Sequence, residues 1–236
     1  MPKDVIIALD FSTAKETMEF LSGFTDVHPF VKIGMELFYA EGPSVVRQLK
    51  EKGHKIFLDL KLHDIPNTVR KSMAVLAGLG VDVCNLHAAG TTNMMRAAID
   101  GLTEGSVNGQ RPLLVAVTQL TSTSEATMRE ELLIQATMEE TVRHYAQNAR
   151  TAGLDGVVCS PLEAGIVKAA CGNSFLTITP GIRFADSAAD DQTRITTPSR
   201  AREIGTDYIV VGRPITQAAD PIAAYQRCLD EFVGIR

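Results

Sequence analysis

The stretch Asp59-Leu60-Lys61-Leu62-His63-Asp64 places two carboxylates and an ammonium group within six residues, at the end of an apolar run that begins near Lys55. In an extended chain the side chains alternate faces, so Phe57, Asp59 and Lys61 share one face while Leu58, Leu60 and Leu62 share the other. The leucine face suits packing against helices, which leaves the charged face to point into a site. Unlike charges a few ångströms apart favour each other's charged forms. A lysine held between carboxylates is therefore a positioned proton donor. It is also a cation set where negative charge could develop on carbon.

Two other strand-like runs are interrupted in the same way. Val5–Asp10 ends in Asp10, and Phe30–Gly34 carries Lys32 between Val31 and Ile33. One Asp/Lys pair at a strand end can be a plain structural ion pair, but charges on three separate strand ends favour chemistry. No metal is required where lysine supplies the positive charge, and no HxH or HExxH arrangement occurs at these positions; Glu36 is a possible ligand. Gly212-Arg213 follows the last strand-like run, Tyr208–Val211. Glycine lets backbone N–H groups approach an anion, and arginine matches phosphate oxygens. Arg183 and Gln192 lie in the polar loop Gly181–Thr196, whose length suggests a closing lid.

The remaining candidates have plainer readings. His28, His54 and His144 are expected at surface or helix polar positions, His87 as a hydrogen-bonded structural residue, and His63 receives no role. Met94-Met95 reads as packing. Cys84, Cys159, Cys171 and Cys228 form no CxxC pair and are expected as reduced thiols in or near the core. Neither a GxGxxG following a strand nor a GxxxxGK[ST] loop is present.

The elements that must position these residues alternate strictly. Strands are expected at Val5–Asp10, Phe30–Gly34, Lys55–Leu60, Val81–His87, Arg111–Val117, Gly156–Cys159, Phe175–Thr179 and Tyr208–Val211. Helices are expected at Thr13–Leu21, Pro43–Lys52, Pro66–Leu79, Asn93–Leu102, Glu139–Ala152, Leu162–Ala170, Ser199–Ile204 and Pro221–Val233, with a short extra helix at Glu125–Ile134. Such alternation implies parallel strands with right-handed crossovers, in either a doubly wound open sheet or a closed barrel. Eight units in 236 residues suit a (β/α)8 TIM barrel, read as one domain over residues 1–236. Chemistry in that fold sits at the C-terminal strand ends, where the charged residues fall.

Composition agrees. Hydrophobic residues make up 45% and charged residues 22%, which excludes disordered and collagen-like chains. A net charge of −5 argues against a nucleic-acid polymer as partner, though not against a small anion in one basic pocket. No stretch approaches the roughly 18 apolar residues of a membrane span. The first apolar run is too short for a signal peptide, so a cytoplasmic protein is expected.

Six segments together resemble the orotidine 5'-phosphate decarboxylase family in its short bacterial form. They are Ile7-Ala8-Leu9-Asp10, Val31-Lys32-Ile33-Gly34, Asp59 through Thr68, Thr118-Gln119-Leu120-Thr121-Ser122, Thr179-Pro180-Gly181-Ile182-Arg183 and Val211-Gly212-Arg213-Pro214-Ile215. They occur in the family's order and cover nearly the whole chain. The resemblance implies decarboxylation of orotidine 5'-monophosphate to uridine 5'-monophosphate, the last step of pyrimidine nucleotide synthesis, without metal or organic cofactor. It makes Lys61 the proton donor to C6 and sets Asp59 near the departing carboxylate, with Lys32 and Asp64 completing the charge array. Asp10, Lys32 and Thr68 would bind ribose, Thr121 and Ser122 would meet the base, and Arg183, Gln192, Gly212 and Arg213 would hold phosphate. A homodimer follows, with Asp64 and Thr68 reaching the partner's site. Two alternatives share the barrel: a Mg2+-dependent sugar-phosphate decarboxylase or aldolase, whose acidic ligand would stand where Lys32 does, and a catalytically silent nucleotide-binding barrel.

Overall fold

A computed structural model describes residues 3–107, 109–186 and 196–234. The apolar runs form strands β1 (Asp4–Leu9), β2 (Phe30–Gly34), β3 (Ile56–Leu62), β4 (Val83–His87), β5 (Leu113–Val117), β6 (Gly156–Val158), β7 (Leu176–Thr179) and β8 (Tyr208–Val211). They pair in parallel and in chain order, and β8 returns to β1 to close the barrel. The helices are α1 (Ala14–Leu21), α2 (Met35–Glu41), α3 (Pro43–Glu51), α4 (Pro66–Ala77), α5 (Thr91–Glu104), α6 (Glu125–Glu131), α7 (Met138–Ala152), α8 (Ala164–Cys171), α9 (Pro198–Ile204), α10 (Arg213–Thr216) and α11 (Pro221–Phe232). None of the described helices is long and apolar enough to cross a membrane.

Alternation along the strands sorts the core into two layers. Ile6, Ala8, Phe30, Phe57, Val83, Val115, Ile178 and Val210 pack together as one cluster inside the barrel. Their neighbours Ile7, Leu9, Val31, Ile33, Leu58, Leu60 and Cys84 pack outward with the helices. The expected division of β3 therefore holds, with Phe57 in the interior layer and Leu58 and Leu60 under the helices.

The N-terminal rim is tied by a repeated device. Asp82 accepts the Ile56 N–H at 2.8 Å and pairs with Lys50 at 2.8 Å. Asp155 accepts the Leu114 N–H at 2.7 Å and pairs with Arg111 at 2.7 Å. Asp207 accepts the Thr177 N–H at 2.8 Å and pairs with Lys168 at 2.5 Å. Each carboxylate satisfies an N–H within the first two residues of a strand, at the rim opposite the charged strand ends.

Several expectations are corrected. Helix α2 begins directly after Gly34, where no separate helix was expected, and a four-residue helix, α10, follows β8. Strand β3 runs on to Leu62, and α6 stops at Glu131. His54 is not a surface residue: it is 4% exposed, and its Nδ1 lies 2.9 Å from the Pro29 carbonyl oxygen. That contact ties the entry of β3 to the entry of β2, and burial lowers the imidazole pKa. All four cysteines are buried and none forms a disulfide, and burial pushes Cys84 and Cys228 up to about 12.

Close packing of α4 on α5 depends on glycine. A Cβ on Gly101 would meet the Arg70 carbonyl oxygen, which belongs to backbone and cannot swing away. Gly101→Ala is expected to lower stability by about 1–3 kcal/mol, read as a fall in denaturant midpoint with an unchanged far-ultraviolet spectrum.

Candidate active site

Asp10, Lys32, Asp59 and Lys61 form a continuous row of alternating charge across the C-terminal ends of β1, β2 and β3. Lys32 Nζ lies 3.0 Å from Asp10 Oδ1 and 3.4 Å from Asp59 Oδ2. Lys61 Nζ lies 2.7 Å from Asp59 Oδ1. Strand register sets this up, because Lys32 stands beside Ala8 on one side and Phe57 on the other, while Asp59 stands beside Gly34. Gly34 leaves the necessary room: a Cβ there would lie 3.1 Å from Lys32 Nζ and 3.4 Å from Asp10 Oδ1.

Lys32 and Asp59 are buried, at 9% and 8% exposure. Burial alone would raise the Asp59 pKa, but the charges of Lys32 and Lys61 and the hydrogen bonds from Lys61 and Asn85 hold it below the usual carboxylate range. Asp59 thus remains an anion in a site that would otherwise disfavour one.

The backbone at Lys61 departs from regular strand. Its φ is 52°, in the left-handed region that residues with a Cβ seldom enter. The β3–β4 register explains the turn. Leu58 pairs with Cys84 and Leu62 with Leu86, so Asp59, Leu60 and Lys61 on β3 face Asn85 alone on β4. Simple alternation therefore identified the inward residues correctly but missed this bulge. It also missed Asn85, which is 1% exposed and sits between the two catalytic candidates. Its Oδ1 accepts the Lys61 N–H at 2.8 Å, and its Nδ2 donates to Asp59 Oδ1 at 2.6 Å.

Three members of the row form one wall of a cavity of about 220 Å3. Lys32, Asp59 and Lys61 supply its charge, Gln119, Thr121 and Ser122 its polar edge, and Val117, Val158, Pro180 and Val210 much of its apolar lining. Thr121 and Ser122 are thus brought to the row as expected, and Gln119 joins them without having been singled out.

The remaining expected site residues lie at the margins. Gly212 caps α10, and a Cβ on it would lie 3.8 Å from Asp10 Oδ2, which puts β8's end beside the row. Arg213 is exposed at the start of α10, and Arg183 is nearly buried, donating through Nη1 to the Ile182 carbonyl at 2.9 Å. The base of the loop after β7 is clasped: Arg183 N–H donates to Thr196 O at 3.0 Å, and Thr196 N–H to Gly181 O at 3.0 Å. Gln192, with most of the expected lid, lies outside the described residues.

Asp64 and Thr68 do not join the row in this chain. Both are exposed and line a separate cleft of about 350 Å3 that also touches Lys61 and Tyr39. The His63 and His87 rings stand 5.7 Å apart beside the same region, and burial together with His63 and Lys61 lowers the His87 pKa. Glu36 accepts a hydrogen bond from Ser12 Oγ at 2.7 Å. Among the described residues, no group of three His, Cys, Asp or Glu side chains is arranged to hold a metal ion.

Comparison with known proteins agrees with this arrangement. Residues 3–228 match the Orotidine 5'-phosphate decarboxylase / HUMPS family. The orotidine 5'-phosphate decarboxylase of Bacillus cytotoxicus is 56% identical over 236 residues, covering 100% of this chain and 99% of that protein. That of a Geobacillus species is 57% identical over 230 residues, covering 97% and 96%. The crystal structure of orotidine 5'-phosphate decarboxylase from Lactobacillus acidophilus superposes with a TM-score of 0.88 at 45% identity, covering 98% of this chain and 99% of that one. On residues, architecture and full-length similarity together, the chain belongs to the orotidine 5'-phosphate decarboxylase / HUMPS family.

Proposed function

We propose that the chain decarboxylates orotidine 5'-monophosphate to uridine 5'-monophosphate and CO2, in the last step of uridine monophosphate synthesis. The observation that carries this is the unbroken Asp10–Lys32–Asp59–Lys61 row, whose Lys32, Asp59 and Lys61 line a cavity sized for a pyrimidine ring. The substrate carboxylate lies next to Asp59. As the bond from C6 to the carboxylate carbon breaks, CO2 leaves and the electron pair stays on C6. The Lys61 ammonium stabilises that charge and then gives C6 a proton. Repulsion between Asp59 and the substrate carboxylate adds to the driving force. Lysine supplies the cation, so the step needs no metal and no organic cofactor.

The rest of the nucleotide lies across the mouth. Asp10, Lys32 and Thr68 bind ribose, Thr121 and Ser122 meet the base, and Arg183, Gln192, Gly212 and Arg213 hold phosphate. Phosphate binding, remote from C6, helps to organise the charged row. Arg213→Ala should therefore cut turnover of the full nucleotide by roughly 10²-fold or more, while leaving turnover of a substrate lacking phosphate nearly unchanged. Equal losses on both substrates would contradict remote phosphate binding.

The working unit is a homodimer in which Asp64 and Thr68 of each copy reach the other's site. Their exposure, and the exposure of Ile65 and Tyr39 beside them at 67% and 71%, support a covered surface here. The compartment is the cytoplasm, a reading supported by four buried cysteines that form no disulfide. The test is the loss of pyrimidine absorbance from orotidine 5'-monophosphate after dialysis of the protein against a chelator. Undiminished turnover is expected, and no turnover before or after dialysis would overturn the assignment.

A further inference from the structure

Three residues of β3 face one residue of β4 at the point where the chemistry is concentrated. A bulge of this kind leaves backbone groups of the longer strand without ladder partners, and a buried N–H must find one elsewhere. The Lys61 N–H finds it in a side chain, Asn85 Oδ1, at 2.8 Å. The same carboxamide donates from Nδ2 to Asp59 Oδ1 at 2.6 Å, the oxygen that also accepts Lys61 Nζ at 2.7 Å.

The amide orientation is settled by its partners. A backbone N–H can only donate and an ionised carboxylate can only accept, so the oxygen must face Lys61 and the nitrogen must face Asp59. Asn85 is 1% exposed, so no water competes freely for either contact. One rigid group thereby fixes the peptide at which Lys61 turns left-handed and the carboxylate that aims the Lys61 ammonium. Left-handed backbone at a residue with a Cβ costs on the order of 1–2 kcal/mol. Such strain persists only where surrounding contacts over-determine it.

We propose that Asn85 is a positioning residue for the decarboxylation: it holds Asp59 and the Lys61 backbone in the one relation that aims Lys61 Nζ at C6. The proposal rests on the decarboxylase reading given above. Asn85 need not touch substrate, and its effect passes through Asp59 and Lys61. Few side chains can replace it. Alanine leaves the Lys61 N–H without a partner. Aspartate at neutral to alkaline pH sets a second carboxylate against Asp59 and loses the donor. A protonated aspartic acid, however, has both an O–H donor and a carbonyl acceptor in nearly the amide's shape.

The test compares wild type, Asn85→Ala and Asn85→Asp for decarboxylation of orotidine 5'-monophosphate, with far-ultraviolet spectra and melting curves establishing that each is folded. For Asn85→Ala, kcat should fall on the order of 10²-fold, the scale set by about an ångström of misplacement. KM and the inhibition constant of uridine 5'-monophosphate should stay within about threefold, because the groups assigned to ribose and phosphate are untouched. For Asn85→Asp, kcat relative to wild type should be lowest at high pH and rise as pH falls and the introduced carboxyl takes up a proton. A purely structural role would lower the melting temperature without this pH-dependent recovery. If Asn85→Ala does not fold, the pH profile of Asn85→Asp decides alone. A kcat for Asn85→Ala within threefold of wild type, or a ratio for Asn85→Asp that is flat with pH, overturns the proposal. An inactive wild type would instead overturn the decarboxylase reading itself.

Discussion

Lys61→Ala is expected to abolish measurable turnover while uridine 5'-monophosphate still binds. Two contributions vanish together. A positioned proton donor is worth about 10²–10⁴-fold, and a cation aimed at developing charge about 10²–10³-fold. The combined loss is therefore on the order of 10⁴-fold or more. Binding should survive because the ribose and phosphate groups are assigned to other residues and because the Lys61 side chain is only partly buried, at 25% exposure. Lys61 lies at the end of the row, so its removal leaves Asp10, Lys32 and Asp59 paired with one another. Residual turnover near the wild-type rate would remove Lys61 from the chemistry, and loss of nucleotide binding would assign it to affinity instead.

Asp59→Asn is the second large effect. Asp59 is the shared anion between Lys32 and Lys61 and also the acceptor for Asn85. Neutralising it leaves the Lys61 ammonium without its aim and removes the group opposing the substrate carboxylate. Turnover should fall by about 10²–10³-fold or more. Stability should fall as well, because removing one partner of a buried ion pair costs about 3–5 kcal/mol; the lower end is expected here, since Lys32 keeps Asp10.

The sign of the accompanying pH effect is fixed by the Asp59 pKa, which lies below the usual carboxylate range in the folded protein. The charged form stabilises the fold above the unfolded carboxylate pKa of about 3.9, and this contribution is lost as pH falls through the lower folded value. The stability gap between wild type and Asp59→Asn should be full at neutral pH and close below about pH 4. Denaturant titrations across that range would measure it. A gap that is unchanged in acid would deny the carboxylate its charge-based role.

Much of this site is legible in the chain because charge interrupts a strong pattern. Asp59 and Lys61 stand out against the leucines at Leu58, Leu60 and Leu62, and Asp10 and Lys32 against β-branched runs, so residue type and period two suffice to turn them inward. Strict alternation allows an open sheet or a barrel, eight units in this length favour the barrel, and the barrel then sets which strand ends face together. Asn85 escapes this logic. A single asparagine in Val83-Cys84-Asn85-Leu86-His87 is an ordinary polar interruption until its neighbour is known to carry three residues against its one. The bulge itself is hidden because Asp-Leu-Lys-Leu keeps clean alternation and contains no glycine to mark a left-handed turn. His54 was misplaced for a related reason: it follows the turn at Gly53, and only the approach of Pro29 from another element makes it a buried group. Contacts made between elements, not within them, account for what the chain alone does not reveal.

The most direct measurement of the central claim is product stoichiometry. Orotidine 5'-monophosphate carrying a labelled carboxylate is mixed with the chelator-dialysed protein, and released CO2 and uridine 5'-monophosphate are both quantified. The charged row around Lys61 predicts the two products in equal amounts, formed over many turnovers with no added metal or cofactor. Nucleotide bound without CO2 release, or release only after a divalent cation is restored, would contradict it.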